Sequence, residues 1–154
     1  SQLGIKNHKI LPFALSNRSG KAILYSPLAF RGRSSLVHIP HDEHNRFEVN
    51  LRTIDELNLG YFDFWKIDVE GSELDVLKGG MDTLKTNCPE FLQVEFWEND
   101  FDEIRELLSP FFKFMFACIV DAEFRLIFMP YQNAPSAWRT LDTKIVLFSK
   151  NEKS

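Results

Sequence analysis

Cysteine is scarce in this chain. Cys88 and Cys118 are its only thiols, and their spacing matches neither a metal motif nor a disulfide framework. They read as reduced thiols in or near a core. Long apolar runs are also missing. Nothing approaches the roughly 18 residues that a membrane-crossing helix needs, so neither a transmembrane segment nor a membrane partner is expected. No stretch has the pattern of a signal peptide, and a cytoplasmic location is the expectation. Basic charge is not in excess. Lys and Arg number 18 against 22 Asp and Glu, for a formal net charge of −4. That removes the electrostatic case for nucleic acid or an anionic surface. There is no internal repeat and no low-complexity segment.

What is present is a globular composition. The chain has 154 residues, 44% of them apolar and 15 of them Phe, enough for one domain over 1–154 with a real core. Its most informative stretch is Lys66-Ile67-Asp68-Val69-Glu70-Gly71-Ser72-Glu73, which places three carboxylates in six residues. The preceding run from Phe62 to Val69 is mostly apolar, with aromatic and β-branched residues. It predicts a strand covered on both faces, as in a parallel sheet. Gly71 suits a sharp turn, and Ser72 is a candidate cap for the next helix. Ligands of open α/β sheets bind outside the carboxyl ends of the strands, so Asp68 and Glu70 are expected at the rim of a crevice. Carboxylates there lose hydration, which points to function.

Patterning predicts the other elements. Residues 8–15 and 21–25 read as strands around a turn at 16–20, and 26–47 as loop. A strand is predicted over 47–52. Thr53-Ile54-Asp55-Glu56 fits a capping box and starts a short helix. A helix is predicted over 72–86 from Leu74, Leu77, Met81 and Leu84, with Gly79-Gly80 bending it or marking a close contact. Strands are expected over 91–96, 112–120, 124–129 and 145–149, and a helix over 102–108. The order predicts an α/β sheet, mainly parallel, ending in antiparallel strands.

The segments Leu51–Leu57, Phe62–Leu74 and Val76–Gly80 resemble the FkbM family of methyltransferases. That family shows a TLDEL-like segment, a KIDVEG-E core and an LKGA-like continuation, and the spacing matches. Asn7 to Gly20 resembles its upstream "AL-S-D-x-x-G" stretch, Phe91–Glu95 its strand ending in glutamate, and Asp142–Phe148 its closing strand. The resemblance spans about residues 7–149. It implies a Rossmann-like fold and a methyltransferase dependent on S-adenosylmethionine (SAM), acting on a hydroxyl of a saccharide or secondary metabolite. It also implies that Ala14, Leu15 and Ser16 flank the adenine and that Asp68 lies beside the cofactor.

One departure bears on all of this. Family members hold the methionine part of SAM with a first strand and Gly-rich loop, and grip the ribose with an acid at the end of a second strand. The glycines here are Gly4, Gly20, Gly32, Gly60, Gly71, Gly79 and Gly80, and none forms a Gly-x-Gly loop after a strand. The expectation is an N-terminally truncated domain with half of the cofactor site missing and an unpaired central sheet edge. A fragment, a partner chain that supplies the strands, and a repacked domain without catalysis are all open.

The candidate catalytic residues are Asp68, Glu70 and Glu95. Asp68 would serve as general base or help hold a metal, and Glu70 would orient substrate. The competing reading makes Asp68 a helix cap, sets Glu70 and Glu73 at the positive end of that helix, and pairs Glu95 with a basic side chain. Trp97 is either a substrate platform or a core aromatic. The cluster His38-Ile39-Pro40-His41-Asp42-Glu43-His44 has ligand-type residues but no zinc spacing, so a divalent metal lacks a supporting motif and a solvated loop near substrate is expected. Arg31, Arg33 and Arg46 are ordinary solubilising residues or binders of an anionic sugar or phosphate group. Two function classes follow: the methyltransferase, and a non-catalytic module that binds a partner, or a second copy, through its exposed sheet edge.

Overall fold

Alternation and turn chemistry set the first strands. The structure, a computed structural model, describes residues 8–28, 33–39, 41, 43–97, 100–120, 123–139 and 143–151, without the side chains of 96, 97, 137, 139 and 143. Strand β1 (Ala14–Leu15) pairs parallel to β3 (His44–Arg52), and β2 (Gly20–Pro27) pairs antiparallel to β3, giving a sheet of order β1-β3-β2. The first strand is shorter than the predicted 8–15. The β2–β3 hairpin is longer than predicted, because its register runs from Gly20↔Leu51 to Pro27↔His44. Cross-strand contacts favour that length: Lys21 pairs with Glu48 at 2.6 Å, and the Arg46 guanidinium lies 5.6 Å from the Tyr25 ring centre.

Helix α1 (Ile54–Leu57) starts at the predicted capping box. The Glu56 amide donates to Thr53 Oγ1 at 3.1 Å, and the Thr53 amide donates to Glu56 Oε2 at 3.0 Å. After β4 (Phe64–Ile67) the expected single helix is two, α2 (Glu73–Lys78) and α3 (Met81–Asn87). The Gly79-Gly80 break has a packing cause. A Cβ on Gly79 would lie 2.1 Å from the carbonyl oxygen of Ser16, and one on Gly80 would press on Ile54. Glycine lets the first sheet approach the helix pair this closely. Asp55 then caps α3 from outside, accepting from the amides of Asp82 (3.2 Å) and Thr83 (2.7 Å) and from the Thr83 hydroxyl (2.7 Å).

The second sheet holds β4, β5 (Phe91–Trp97), β6 (Phe114–Val120), β7 (Leu126–Pro130) and β8 (Thr143–Ser149), in the order β4-β5-β8-β6-β7. Helix α4 (Phe101–Leu108) follows β5. A 3₁₀ turn at Tyr131–Asn133 and the short α5 (Ser136–Arg139), neither of them predicted, lead into β8.

These pairings bear out the α/β class and the antiparallel C-terminal strands, but the expectation of one mainly parallel, Rossmann-like sheet is not met. Among the described strands only β1–β3 and β4–β5 are parallel, and four pairings are antiparallel. Parallel neighbours need a crossover, which the α2–α3 segment supplies between β4 and β5; α4 returns β6 in that same direction but not beside β5. Antiparallel β8 inserts between β5 and β6, and β6–β7 is a hairpin. The strand expected to be covered on both faces is an edge strand. Trp65 and Ile67 face the core, whereas Phe64 is 49% exposed and Lys66 points to solvent. Its outer edge carries no partner strand among the described residues.

The core lies between the second sheet and its helices. Leu77, Leu84, Leu92, Val94, Ile104, Leu108 and Val146 are almost wholly buried. Each contributes on the order of 1.5–3 kcal/mol of burial. Cys118 is buried and Cys88 half-buried, and burial pushes both thiols above their ordinary range, so they stay protonated.

Candidate active site

Strands β4 and β5 run parallel, so their carboxyl ends lie side by side. The register Ile67↔Val94 brings Asp68, one residue on, beside Glu95. The chain then turns sharply. Glu70 adopts φ +53° and Gly71 φ +97°, two successive residues in left-handed conformations. For Glu70 this costs about 1–2 kcal/mol. Three contacts over-determine the turn. The Glu73 carboxylate, 1% exposed, accepts from the amides of Val69 (3.0 Å) and Gly71 (3.1 Å). The Ser35 hydroxyl donates to the Glu70 carbonyl at 2.7 Å. His38 lies against Gly71, where a Cβ would come within 2.6 Å of its Nε2.

Strain held in place this way is a mark of functional sites, and the electrostatics agree. Burial raises the Glu70 carboxyl above the usual carboxylate range, and the charge of Asp68 raises it further, against the pull of Arg33 and His38. Burial likewise raises Glu95, again with Asp68 adding to it and Lys66 opposing. The structure thus brings the three candidate catalytic residues within reach of one another's charge. Asp68 is ion-paired with Lys66 on the solvent side.

Two local expectations are corrected. Ser72 stands at the helix N-cap, but its hydroxyl makes no capping bond and is buried without a partner. Asp68 points to Lys66 rather than capping α2, and the carboxylate that ties the turn is Glu73. Its place at the first position of the helix, two residues past Gly71, was the available sequence signal. Ser35 had no such signal, and Arg33 and His38 were singled out only within a group of arginines and a solvated loop near substrate, not as partners of the turn. They reach the turn because Ser35 bridges to Tyr25 of β2 by two 2.9 Å backbone bonds. Arg31, Pro40 and Asp42 lie outside the described residues, as does the side chain of Trp97. Among the described residues no group of three acids, histidines or cysteines is spaced to hold a metal ion.

Ala14, Leu15 and Ser16 lie elsewhere. Leu15 packs on the core, the Ser16 amide donates to the Arg52 carbonyl at 2.9 Å, and the Ser16 carbonyl abuts Gly79. They meet the far end of α2, about 9 Å along its axis from the carboxylate turn. The close approaches at Gly71 and Gly79 are filled by His38 and Ser16, not left open for a ligand backbone. Ser16 and the carboxylate turn therefore stand at opposite ends of α2. No described helix is long and apolar enough to cross a membrane.

No curated protein and no solved structure matches this chain. A family model, the methyltransferase FkbM domain, matches residues 2–125. The match contains the carboxylate turn and β5 and stops before β7 and β8. With that match covering most of its length, the chain belongs to the FkbM methyltransferase domain family.

Proposed function

We propose that this protein is a SAM-dependent O-methyltransferase whose carboxylate rim binds and deprotonates a hydroxyl of a saccharide or secondary metabolite. The observation that carries this reading is the meeting of Asp68, Glu70 and Glu95 at the carboxyl ends of two parallel strands, with Glu70 and Glu95 raised toward neutrality. A general base works best when its pKa lies near the working pH. Burial and the fixed charge of Asp68 move Glu95 and Glu70 in that direction. Asp68, steadied by Lys66, sets the local field and accepts a hydrogen bond from a neighbouring hydroxyl. The donor, when bound, supplies a sulfonium methyl group. The residues described here hold the acceptor oxygen and take its proton, and positioning supplies much of the rate.

Transfer of label from methyl-tritiated SAM to a panel of sugars and hydroxylated metabolites tests this. Glu95→Gln is expected to lower turnover by about 10²–10⁴-fold. Turnover equal to wild type in Asp68→Asn, Glu70→Gln and Glu95→Gln alike would overturn it.

The unpaired edge of β4 favours a second reading, a module that associates with a second copy of itself. Leu59, Tyr61, Phe62 and Phe64 are all exposed beside that edge.

A further inference from the structure

The hairpin face next to the carboxylate turn carries a cluster of basic side chains that the proposed chemistry does not use. A shallow, open depression of about 530 Å³ is lined by Leu28, His41, Glu43, His44 and Arg46. Arg46 lies opposite Tyr25 in the β2–β3 register, and its guanidinium sits over the Tyr25 ring. The His44 ring meets the same tyrosine edge-on at 5.7 Å. Stacking on an aromatic face fixes a guanidinium while leaving its N–H edge for a ligand. Among the described residues no carboxylate lies within ion-pair distance of Arg46. Glu48, two positions along the same face, is taken by Lys21 at 2.6 Å. Glu43 is the one acid among the described lining residues.

The position of this depression follows from the strand pairing. Residues directly opposite one another on antiparallel strands project to the same face. Ser35 pairs with Tyr25, and Tyr25 with Arg46, so all three side chains share one face. On that face the Ser35 hydroxyl holds the Glu70 carbonyl. Two strand spacings, about 10 Å, separate Ser35 from Arg46. The Glu70 carbonyl lies beyond Ser35 from Arg46, so an anion at Arg46 and a hydroxyl at the turn occupy separate places along this face.

Resting on the acceptor-side reading above, we infer that the methyl acceptor is an anionic saccharide of more than one ring, whose carboxylate or phosphate is received by Arg46 with His44 and His41 while its reacting hydroxyl lies at Asp68, Glu70 and Glu95. Arg46 is the specificity-determining residue. Tyr25 positions it, and the hairpin sets the span between acid group and reacting hydroxyl.

Binding of small probes to the whole chain, read by amide chemical shifts, tests this without any turnover. Methyl glucuronide and glucose 6-phosphate represent the two sources of charge, and methyl glucoside is the neutral control. The expected result is that at least one anionic probe shifts amides in 41–46 at millimolar concentration, while the glucoside leaves them unmoved. Which anion binds tighter identifies carboxylate or phosphate as the group recognised. Arg46→Gln should weaken the anionic probe about tenfold, the loss expected for one charge-assisted contact, with the β2–β3 amide pattern otherwise retained. Equal shifts from glucoside and glucuronide, no shift in 41–46 from either anion, or unchanged affinity in Arg46→Gln would each overturn the inference. Glucoside shifts confined to 68–73 and 95 would overturn it while leaving the acceptor-side reading intact.

Discussion

At the scale of single residues, the acids that follow β4 and the one near the end of β5 divide into different roles. Glu73 is structural: it is buried and spends its oxygens on two backbone amides. Glu95 and Glu70 are held at a cost, since burial and Asp68 favour their protonated forms. The sign of the consequence is fixed. A carboxyl whose folded pKa lies above its unfolded value contributes least to stability when ionised, so its contribution is fullest at acidic pH and is lost as pH rises through the raised value. Glu95→Gln, a neutral near-isostere, should therefore raise the melting temperature at pH 7 and leave it nearly unchanged at pH 4. Thermal unfolding at both values checks this, and a variant less stable at pH 7 would refute the assignment. Asp68, Glu70 and Glu73 were legible in sequence from their spacing, and Glu95 from its place at the end of a predicted strand. Their different roles were not, because burial and partners come from residues distant along the chain.

At the scale of elements, the two-glycine break between α2 and α3 joins the first sheet to the helix pair. The Ser16 carbonyl fills the space where a Gly79 side chain would stand, and the Asp55 amide bonds the Gly79 carbonyl at 3.0 Å. Asp55 also caps α3. Gly79→Ala has no backbone strain to fear at φ −77°, so its cost comes from packing alone. The expected loss is about 1–3 kcal/mol, the range for overpacked sites, measured by denaturant unfolding. A loss below about 0.5 kcal/mol would mean that the first sheet simply moves aside. The sequence indicated that the glycine pair bends the helix or marks a close contact. It did not reveal that Ser16, 63 positions earlier, is the partner.

At the scale of the molecule, the outer edge of β4 has no partner strand among the described residues. A short strand with an exposed Phe64, next to exposed Leu59, Tyr61 and Phe62, offers unpaired backbone and apolar surface together. Lys66, paired to Asp68, is the only charge on the strand itself. If the edge joins two copies, light scattering at rising concentration should show a dimer of the 18.0 kDa chain, and Phe64→Lys should return it to monomer. A strictly monomeric wild type would refute edge association. The antiparallel end of the sheet was legible, but not that antiparallel pairings outnumber parallel ones. Apolar runs at 112–120 and 145–149 identify strands, but the place of β8 between β5 and β6 depends on where the loops return it.

The sequence alone determined the local features: the capping box at Thr53, the breaks at glycine, the turn at Glu70-Gly71, the family and the acid-rich motif. These depend on neighbours a few residues apart, and short-range sterics and hydrogen bonds suffice to specify them. Only the tertiary structure decided that Ser35 anchors the turn, that Asp68 and Glu95 meet, that Ala14–Ser16 lie at the other end of α2, and that the strands run mostly antiparallel. Each of those rests on pairing between segments far apart in the chain, where packing and backbone bonding of the whole molecule choose among arrangements that local patterning leaves equal.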